Sequence, residues 1–257
     1  MSWLQAFLIG MAPSLLVAGA LFAIELWHHP RATDWWRNLQ AWALCRLAAI
    51  TALPLLSFWG QAKWSLLDGA ALPFWLALPV FVLARDLGEY LFHRAQHAIP
   101  ALWAMHSLHH SDPDMMALTT QRHFWGDQFV KQMTIWPAAL LVISPTPELY
   151  AAWGVISMWN FVLHSSLPLD FGRFSWLLNS PEYHRRHHSS DPADYNGNYA
   201  ALLPVWDVLL GGYHQPAGHP RTGLENAGGP RKPESLWELL VWPLVWHRAS
   251  ARQPLAT

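Results

Sequence analysis

The sequence predicts an all-α fold, a multi-pass membrane helical bundle of about four to five membrane helices that carries a cytosolic helical cap. Three observations lead there. Of 257 residues, 53% are hydrophobic and only 13% charged, with 18 Trp, too oily a composition for an ordinary soluble domain. The apolar residues gather into blocks of the length a bilayer requires. Between and after those blocks lie polar segments that hold most of the 15 histidines.

The first block, Trp3 to Trp27, is long enough to cross a hydrocarbon core with some tilt. No Lys or Arg precedes it and it exceeds a usual signal-peptide core, so it reads as a retained segment rather than a cleaved leader. A second block runs from Leu39 to Gly60 with Arg46 inside it, and a third, Leu72 to Phe92, follows the polar turn QAKWSLLDGA. The fourth, Phe129 to Leu163, is too long for one crossing and is broken at ISPTPE by two prolines and a Glu. It reads as a helical hairpin, either a shallow re-entrant pair or two short tilted spans. After Leu163 the chain turns polar and Pro/Gly-rich, and PESLWELLVWPLVWHRAS reads as an interfacial helix, with a plain packing helix as the alternative.

We expect one domain over 1–257: membrane helices in 1–92, histidine-rich segments in 93–128, the hairpin in 129–163, a further histidine segment and the cap in 164–213, and a tail in 214–257. If the first helix starts outside, the third ends inside at His93, and the hairpin leaves and returns to that side. Arg31, Arg37, Arg94, Arg122, Lys131, Arg173, Arg185 and Arg186 then share the histidine side, and Lys63 lies opposite. The positive-inside bias makes the histidine side cytosolic, in a bacterial inner membrane or an ER membrane.

A net charge of -1 without a Lys/Arg cluster gives no electrostatic reason for nucleic-acid binding. The single cysteine, Cys45, excludes an internal disulfide, a four-cysteine zinc site and a cysteine-ligated iron-sulfur cluster within this chain. No G-x-G-x-x-G or Walker-type loop is present, so electrons for any redox chemistry must come from elsewhere.

The histidines are patterned. His93 and His97, in HRAQH, stand four apart where the third block ends, which puts both rings on one helical face. In MHSLHHSDPD, His106, His109 and His110 again gather toward one side of a helix, and His184, His187 and His188 repeat the H-x-x-H-H pattern in HRRHH. Neutral imidazole is a common ligand for zinc, copper, iron and nickel, and eight such rings exceed what one ion accepts. Two metal ions are implied, giving the cap a histidine-ligated dimetal site. A metalloprotease is excluded because HRAQH has Arg94 where H-E-x-x-H needs its Glu, and a zinc finger fails for lack of cysteine. Taken alone, His164, at the end of an apolar run, reads as a buried hydrogen-bonded histidine.

At these residues the chain resembles the fatty acid hydroxylase/sterol desaturase superfamily of integral-membrane di-iron oxygenases. The stretches that match its recurring boxes are HRAQH, WAMHSLHHS from Trp103, His164 in VLHSSLP, and SPEYHRRHH from Ser180. NYAALLPVWDVLLGGY, Asn198 to Tyr213, is similar to the superfamily's closing motif, with Ala200, Leu210 and Gly212 as substitutions. The resemblance covers about Asp86 to Tyr213. The R-x-H-P of the family appears only as RHFW, so His123 is not carried over as a ligand. The resemblance implies that His93, His97, His106, His109, His110, His164, His184, His187 and His188 are both metal ligands and catalytic residues. It implies two iron ions, which zinc can replace on purification, and a membrane lipid substrate: a fatty acyl chain, a sterol or a carotenoid/isoprenoid. It also implies an external electron donor of the ferredoxin, cytochrome b5 or reductase type. Hydroxylation is the expected outcome, with desaturation at the same site as the alternative. A non-enzymatic histidine-rich metal-handling protein is the rival from another class, disfavoured because eight of the rings lie outside the apolar blocks.

Asp86 and Tyr90 precede His93 on the same helical face and are expected to orient an imidazole; Glu89 could serve a neighbouring ring. Asp112, Asp114, Asn198 and Asp207 suit either support of the site or local turn structure. His28, His29, His214, His219 and His247 fit no pattern and are assigned to the surface.

Overall fold

The computed structural model describes residues 3–28, 34–60, 64–216, 218–226 and 232–250, with side chains of 3–12, 50–60 and 250 left aside. His29, Arg31 and Lys63 therefore lie outside the described residues, as do the side chains at the start of the first apolar block and the end of the second. The protein is predominantly helical. Two long helices, α1 (Trp3–His28) and α2 (Trp35–Gly60), precede a two-residue strand, β1 (Leu67–Asp68), and a third long helix, α3 (Phe74–Ala98). Helix α3 runs on past Phe92, so His93 and His97 sit on its last turns. Ile99 is extended and closes α3 while opening α4 (Pro100–His110), whose first residue is a proline. Proline fits the first helical turn, where its missing N–H costs nothing, and disfavours helix in the residue before it. The bend this forces folds α4 back beside the end of α3.

Helix α5 (Trp125–Val142), strand β2 (Ile143–Ser144) and helices α6 (Pro147–Ser157) and α7 (Trp159–Leu163) occupy the segment read as a hairpin, and α5 and α6 both pack against α3. Thr146 caps α6 by accepting from the Leu149 N–H, with Pro147 at the first turn. The far end of the hairpin is pinned to the loop before α3: Leu67 and Asp68 pair in parallel with Ile143 and Ser144, and the Ser144 hydroxyl donates to Asp68 at 3.0 Å. Gly69 is required there, because a Cβ would fall 2.2 Å from the Ser144 carbonyl oxygen. Behind this junction Ala77, Phe81, Ile143 and Leu149 form a core flanked by Trp136 and Trp153. The short helices α8 (Pro181–His187), α9 (Val205–Leu210), α10 (Leu236–Leu240) and α11 (Trp242–Ser250) complete the cap and tail.

Among the described residues no helix is long and apolar enough to cross a membrane. The third block illustrates why: α3 carries Arg85, Asp86, Glu89 and Arg94 within its 25 residues. Large apolar side chains nonetheless face outward, among them Leu16, Trp27, Leu66, Trp75 and Val155. The tail packs as well as exposes. Trp242 is fully buried, its indole N–H donates to the Ser107 hydroxyl at 2.9 Å, and Trp246 joins the cluster of Ala104, Leu108 and Phe124, while Trp237 and Leu244 stay exposed.

Arg122, fully buried, ties α2 to the segment after α4. Its guanidinium donates to the Ser111 hydroxyl at 2.9 Å, to Asn38 at 2.9 Å and to Asp34 at 3.1 Å. Removing one member of a buried charge network strands the others. Arg122→Ala should therefore cost about 3 kcal/mol, seen as a marked fall in the thermal midpoint; an unchanged midpoint would show that the network does not hold α2 in place.

Candidate metal centre

Four elements deliver the patterned histidines to one place. The last turns of α3 present His93 and His97, α4 presents His106, His109 and His110, the residue closing α7 is His164, and α8 presents His184 and His187 with His188 at its C-terminal cap. Helix α8 forms because Ser180 caps it, accepting from the Tyr183 N–H at 3.2 Å, and Pro181 occupies its first turn.

The structure brings all nine candidate histidines together, in two adjoining groups. His93, His97, His106, His110 and His187 form one, and His109, His164, His184 and His188 the other; within each, one ligand atom per residue lies within 4.8 Å of all the rest. His110 and His188 stack at 4.3 Å between centroids, so the groups share a wall.

For three of the nine rings a hydrogen bond fixes which nitrogen turns inward. His93 Nδ1 is 2.7 Å from the Tyr199 carbonyl, His187 Nδ1 is 2.8 Å from that of Gly197, and His164 Nδ1 is 2.8 Å from that of Asn160. A carbonyl only accepts, so each Nδ1 carries the proton and each Nε2 keeps its lone pair. Nε2 of His93, His97, His110, His187 and His188 is buried with no hydrogen-bond partner among the described residues. His164 Nε2 lies 3.0 Å from the Nε2 atoms of both His109 and His184. Buried lone pairs left without donors are costly, and so many converging on two points fit two cations. Charge agrees with geometry: burial, then neighbouring imidazoles, holds His93, His97, His109, His110, His184 and His188 well below 6.5, and burial takes His164 and His187 to about 3. Neutral rings at pH 7 are ligands; protonated ones are not.

A collar built by Asn196 to Asp207 supplies two of the three carbonyls. Asn196 and Asn198 take left-handed backbone conformations, with φ of 62° and 57°. Gly197 has no room for a Cβ, which would meet the His214 ring at 2.7 Å. Asn198 donates to the Tyr183 and His214 carbonyls and accepts from the His214 N–H. Asp207 accepts from the Tyr183 hydroxyl at 2.6 Å and from the Tyr199 and Ala200 N–H groups. Asn198 and Asp207 thus act on the site through the backbone they shape.

The roles expected of Asp86, Tyr90 and Glu89 need correction, while Asp112, His28 and His247 sit as one of their expected readings had them. Asp86 touches no imidazole; it accepts from the Leu202 and Leu203 N–H groups and from the Trp206 indole at 2.8 Å, anchoring the collar to α3. Tyr90 accepts from Arg94 and packs on Tyr199, and Glu89 pairs with Arg85 at 3.0 Å and Lys131 at 2.5 Å. Asp112 binds Asn38 and Thr119 and closes a turn to the Asp114 N–H. His28 and His247 are exposed, His219 pairs with Glu182, and half-buried His214 serves the collar through its backbone.

Sequence reasoning missed Asp127. Its carboxylate is fully buried, with Oδ2 3.6 Å from His106 Nδ1 and 3.5 Å from His123 Nδ1, and Oδ1 accepts from Gln96 at 2.6 Å. Burial alone would raise its pKa, but the two imidazoles beside it hold the carboxyl below the usual range. His123 lies flat on His109, 4.2 Å between centroids, so it buttresses a ring of the second group. The available signal was an acid four residues after a histidine at a helix start.

Residues 78–212, more than half of the chain, match the family model for fatty acid hydroxylase. The chain belongs to the fatty acid hydroxylase family. It is 32% identical over 180 residues to an alkylglycerol monooxygenase of Danio rerio, covering 70% of this chain and 39% of that protein. An alkylglycerol monooxygenase of Xenopus tropicalis is 30% identical over 168 residues, 64% of this chain and 37% of the relative. The ornithine lipid hydroxylase OlsE of Rhizobium tropici is 30% identical over 143 residues, 56% of this chain and 42% of the relative. The matches thus span about two fifths of these relatives. No solved structure matches the chain.

A carboxylate that orients a ligating imidazole typically contributes about 10- to 100-fold in metal affinity. Asp127→Ala should weaken metal retention by that order against a competing chelator while the helical signal is preserved; retention equal to the parent's would remove Asp127 from the support of the centre.

Proposed function

We propose that this protein is a membrane oxidoreductase that hydroxylates an unactivated carbon of a lipid at a di-iron centre, with His93, His97, His106, His110 and His187 holding one ion and His109, His164, His184 and His188 the other. The observation that carries the reading is the convergence of nine imidazoles, seven buried and two half-buried, on two points, with several of their inward nitrogens unpartnered among the described residues. Membership of the family and the names of the relatives, alkylglycerol monooxygenase and ornithine lipid hydroxylase, support lipid hydroxylation.

Bound iron would supply the oxidant, made from dioxygen with two electrons from an external donor, one oxygen atom entering the product and the other leaving as water. The protein's own part is positioning. The Tyr199, Gly197 and Asn160 carbonyls fix three rings by their Nδ1 protons, and the Asp127 carboxylate stands 3.6 Å from His106 and 3.5 Å from His123 as their electrostatic partner. A cavity of about 430 Å³ reaches His93, His106, His109, His164 and His184 and is walled by Trp42, Trp136, Trp153 and Phe161. In this reading the space takes a segment of the lipid and brings it to the histidines.

The bundle is proposed to sit in a membrane through α1, α2, α3 and the α5–α6 hairpin, with the histidine side cytosolic. Outward-facing Leu16, Trp75, Leu83, Leu141 and Val155 support this embedding. Cys45 is the only cysteine and is buried, so single introduced cysteines report sidedness cleanly. Cysteines at exposed Asp114 and Glu225 should label from the cytosolic side and one at Asp68 from the other; labelling of Asp114 and Glu225 from opposite sides would break the site apart.

Reaction chemistry is tested by incubating cells that express the protein with ¹⁸O₂ and analysing their lipids. The expected product carries one ¹⁸O that is absent in the His109→Ala and His187→Ala variants. A product two hydrogens lighter and free of ¹⁸O would assign desaturation instead.

A further inference from the structure

The cavity that reaches the histidines contains more cation than the metal centre explains. Arg46, Arg85 and Lys131 line it, against Asp86 and Glu89. Asp86 is consumed by the Leu202 and Leu203 N–H groups and the Trp206 indole, which leaves Glu89 alone among three cations. Arg85 is only 4% exposed. Its guanidinium lies 4.0 Å over the Trp136 ring and 5.0 Å from that of Trp153, with Nη2 donating to Glu89 at 3.0 Å. Its Nε and Nη1 are buried and have no partner among the described residues, and the same holds for Nε of Arg46. A guanidinium has five donors and cannot shed its proton, so burying it with two nitrogens unserved is costly unless something else accepts from them. An ionised group inside an apolar bundle points to function rather than packing.

We propose that this pocket is a recognition site for the anionic group of the substrate, a carboxylate or phosphate carried on an apolar chain, bound by Arg85 with Arg46 and Lys131 beside it. The inference rests on the hydroxylase reading for what happens at the other end of the cavity. Arg85 precedes His93 by eight residues on α3, a rise of about 12 Å, so an amphiphile anchored at Arg85 extends its chain toward the metal centre. Arg–carboxylate and Arg–phosphate pairs are charge-assisted and directional, which would fix which carbon arrives there. Trp136 and Trp153 hold the guanidinium plane in place.

The test is equilibrium binding of radiolabelled hexadecyl phosphate to the purified full chain in neutral detergent, with palmitate, hexadecanol and inorganic phosphate as competitors. Palmitate and unlabelled hexadecyl phosphate should compete roughly tenfold or more better than hexadecanol, and inorganic phosphate should compete poorly. Arg85→Gln should erase that preference while hexadecanol binds as before, and Arg85→Lys should retain part of it. If Arg85→Gln does not fold, Arg46→Gln at the less buried side should reduce the preference in the same direction. Equal competition by hexadecanol, or an equal loss for anion and alcohol in Arg85→Gln, would overturn the proposal. Displacement by inorganic phosphate alone, as effective as by the long-chain anions, would also overturn it by assigning a free-anion site. Binding needs no turnover, so the two readings fail separately. An anion preference in a protein that oxygenates nothing leaves this site standing and removes the hydroxylase, and lipid oxygenation without an anion preference does the reverse.

Discussion

The constraint on which the rest of the structure depends is the burial of so many imidazole lone pairs around two points. A buried acceptor without a donor is destabilising by a few kcal/mol at the low end, and here several are left in that condition side by side. Protonating the rings does not relieve this, because burial and mutual repulsion keep them neutral far below pH 7. Two cations would relieve it, which is why the proposed reading places one in each group.

That arrangement explains elements that otherwise look incidental. The bend at Ile99 and Pro100 turns two histidine-bearing helices against each other. The left-handed pair Asn196 and Asn198, the Cβ-free Gly197 and the acceptor Asp207 exist as one device that turns two carbonyls toward His93 and His187. Asp86, a carboxylate deep on α3, fastens that device to the helix carrying His93, and Glu25 on α1 accepts from the Ala117 and Ser166 N–H groups, tying the first helix to the chain on both sides of the hairpin. Polar groups inside an apolar bundle are thus spent on holding backbone, and the backbone holds the rings.

The gathering of eight histidines was legible in the sequence because helical spacing puts His93 beside His97 and repeats H-x-x-H-H in two short helices, whereas His164 was reached only through the family resemblance. The break between α5 and α6 was legible from Pro145 and Pro147, and α3 ran longer than its apolar block because helix periodicity continues through HRAQH. What stayed hidden depends on long-range contact. Which of two groups a given ring joins is set by packing, so His109 and His110, adjacent in sequence, fall in different groups. Carbonyl partners leave no side-chain signature, and Asp127 reaches His106 only because α5 packs beside α4. Asp86 and Glu89 were placed on the right face of α3, but their partners, the collar backbone for one and Arg85 and Lys131 for the other, could not be read from spacing. Trp242 and Trp246 likewise looked interfacial by composition and are held by Ser107, Ala104 and Leu108.

The central claim, that two groups of imidazoles each hold one metal ion, is tested most directly by metal stoichiometry. Protein purified from iron-supplemented cells and analysed by elemental mass spectrometry should carry two ions of iron, or of zinc in its place, per chain. The double variant His97→Ala/His187→Ala should retain the ion of the second group and His109→Ala/His184→Ala that of the first. One ion or none in the parent, with all nine histidines intact, would contradict the account.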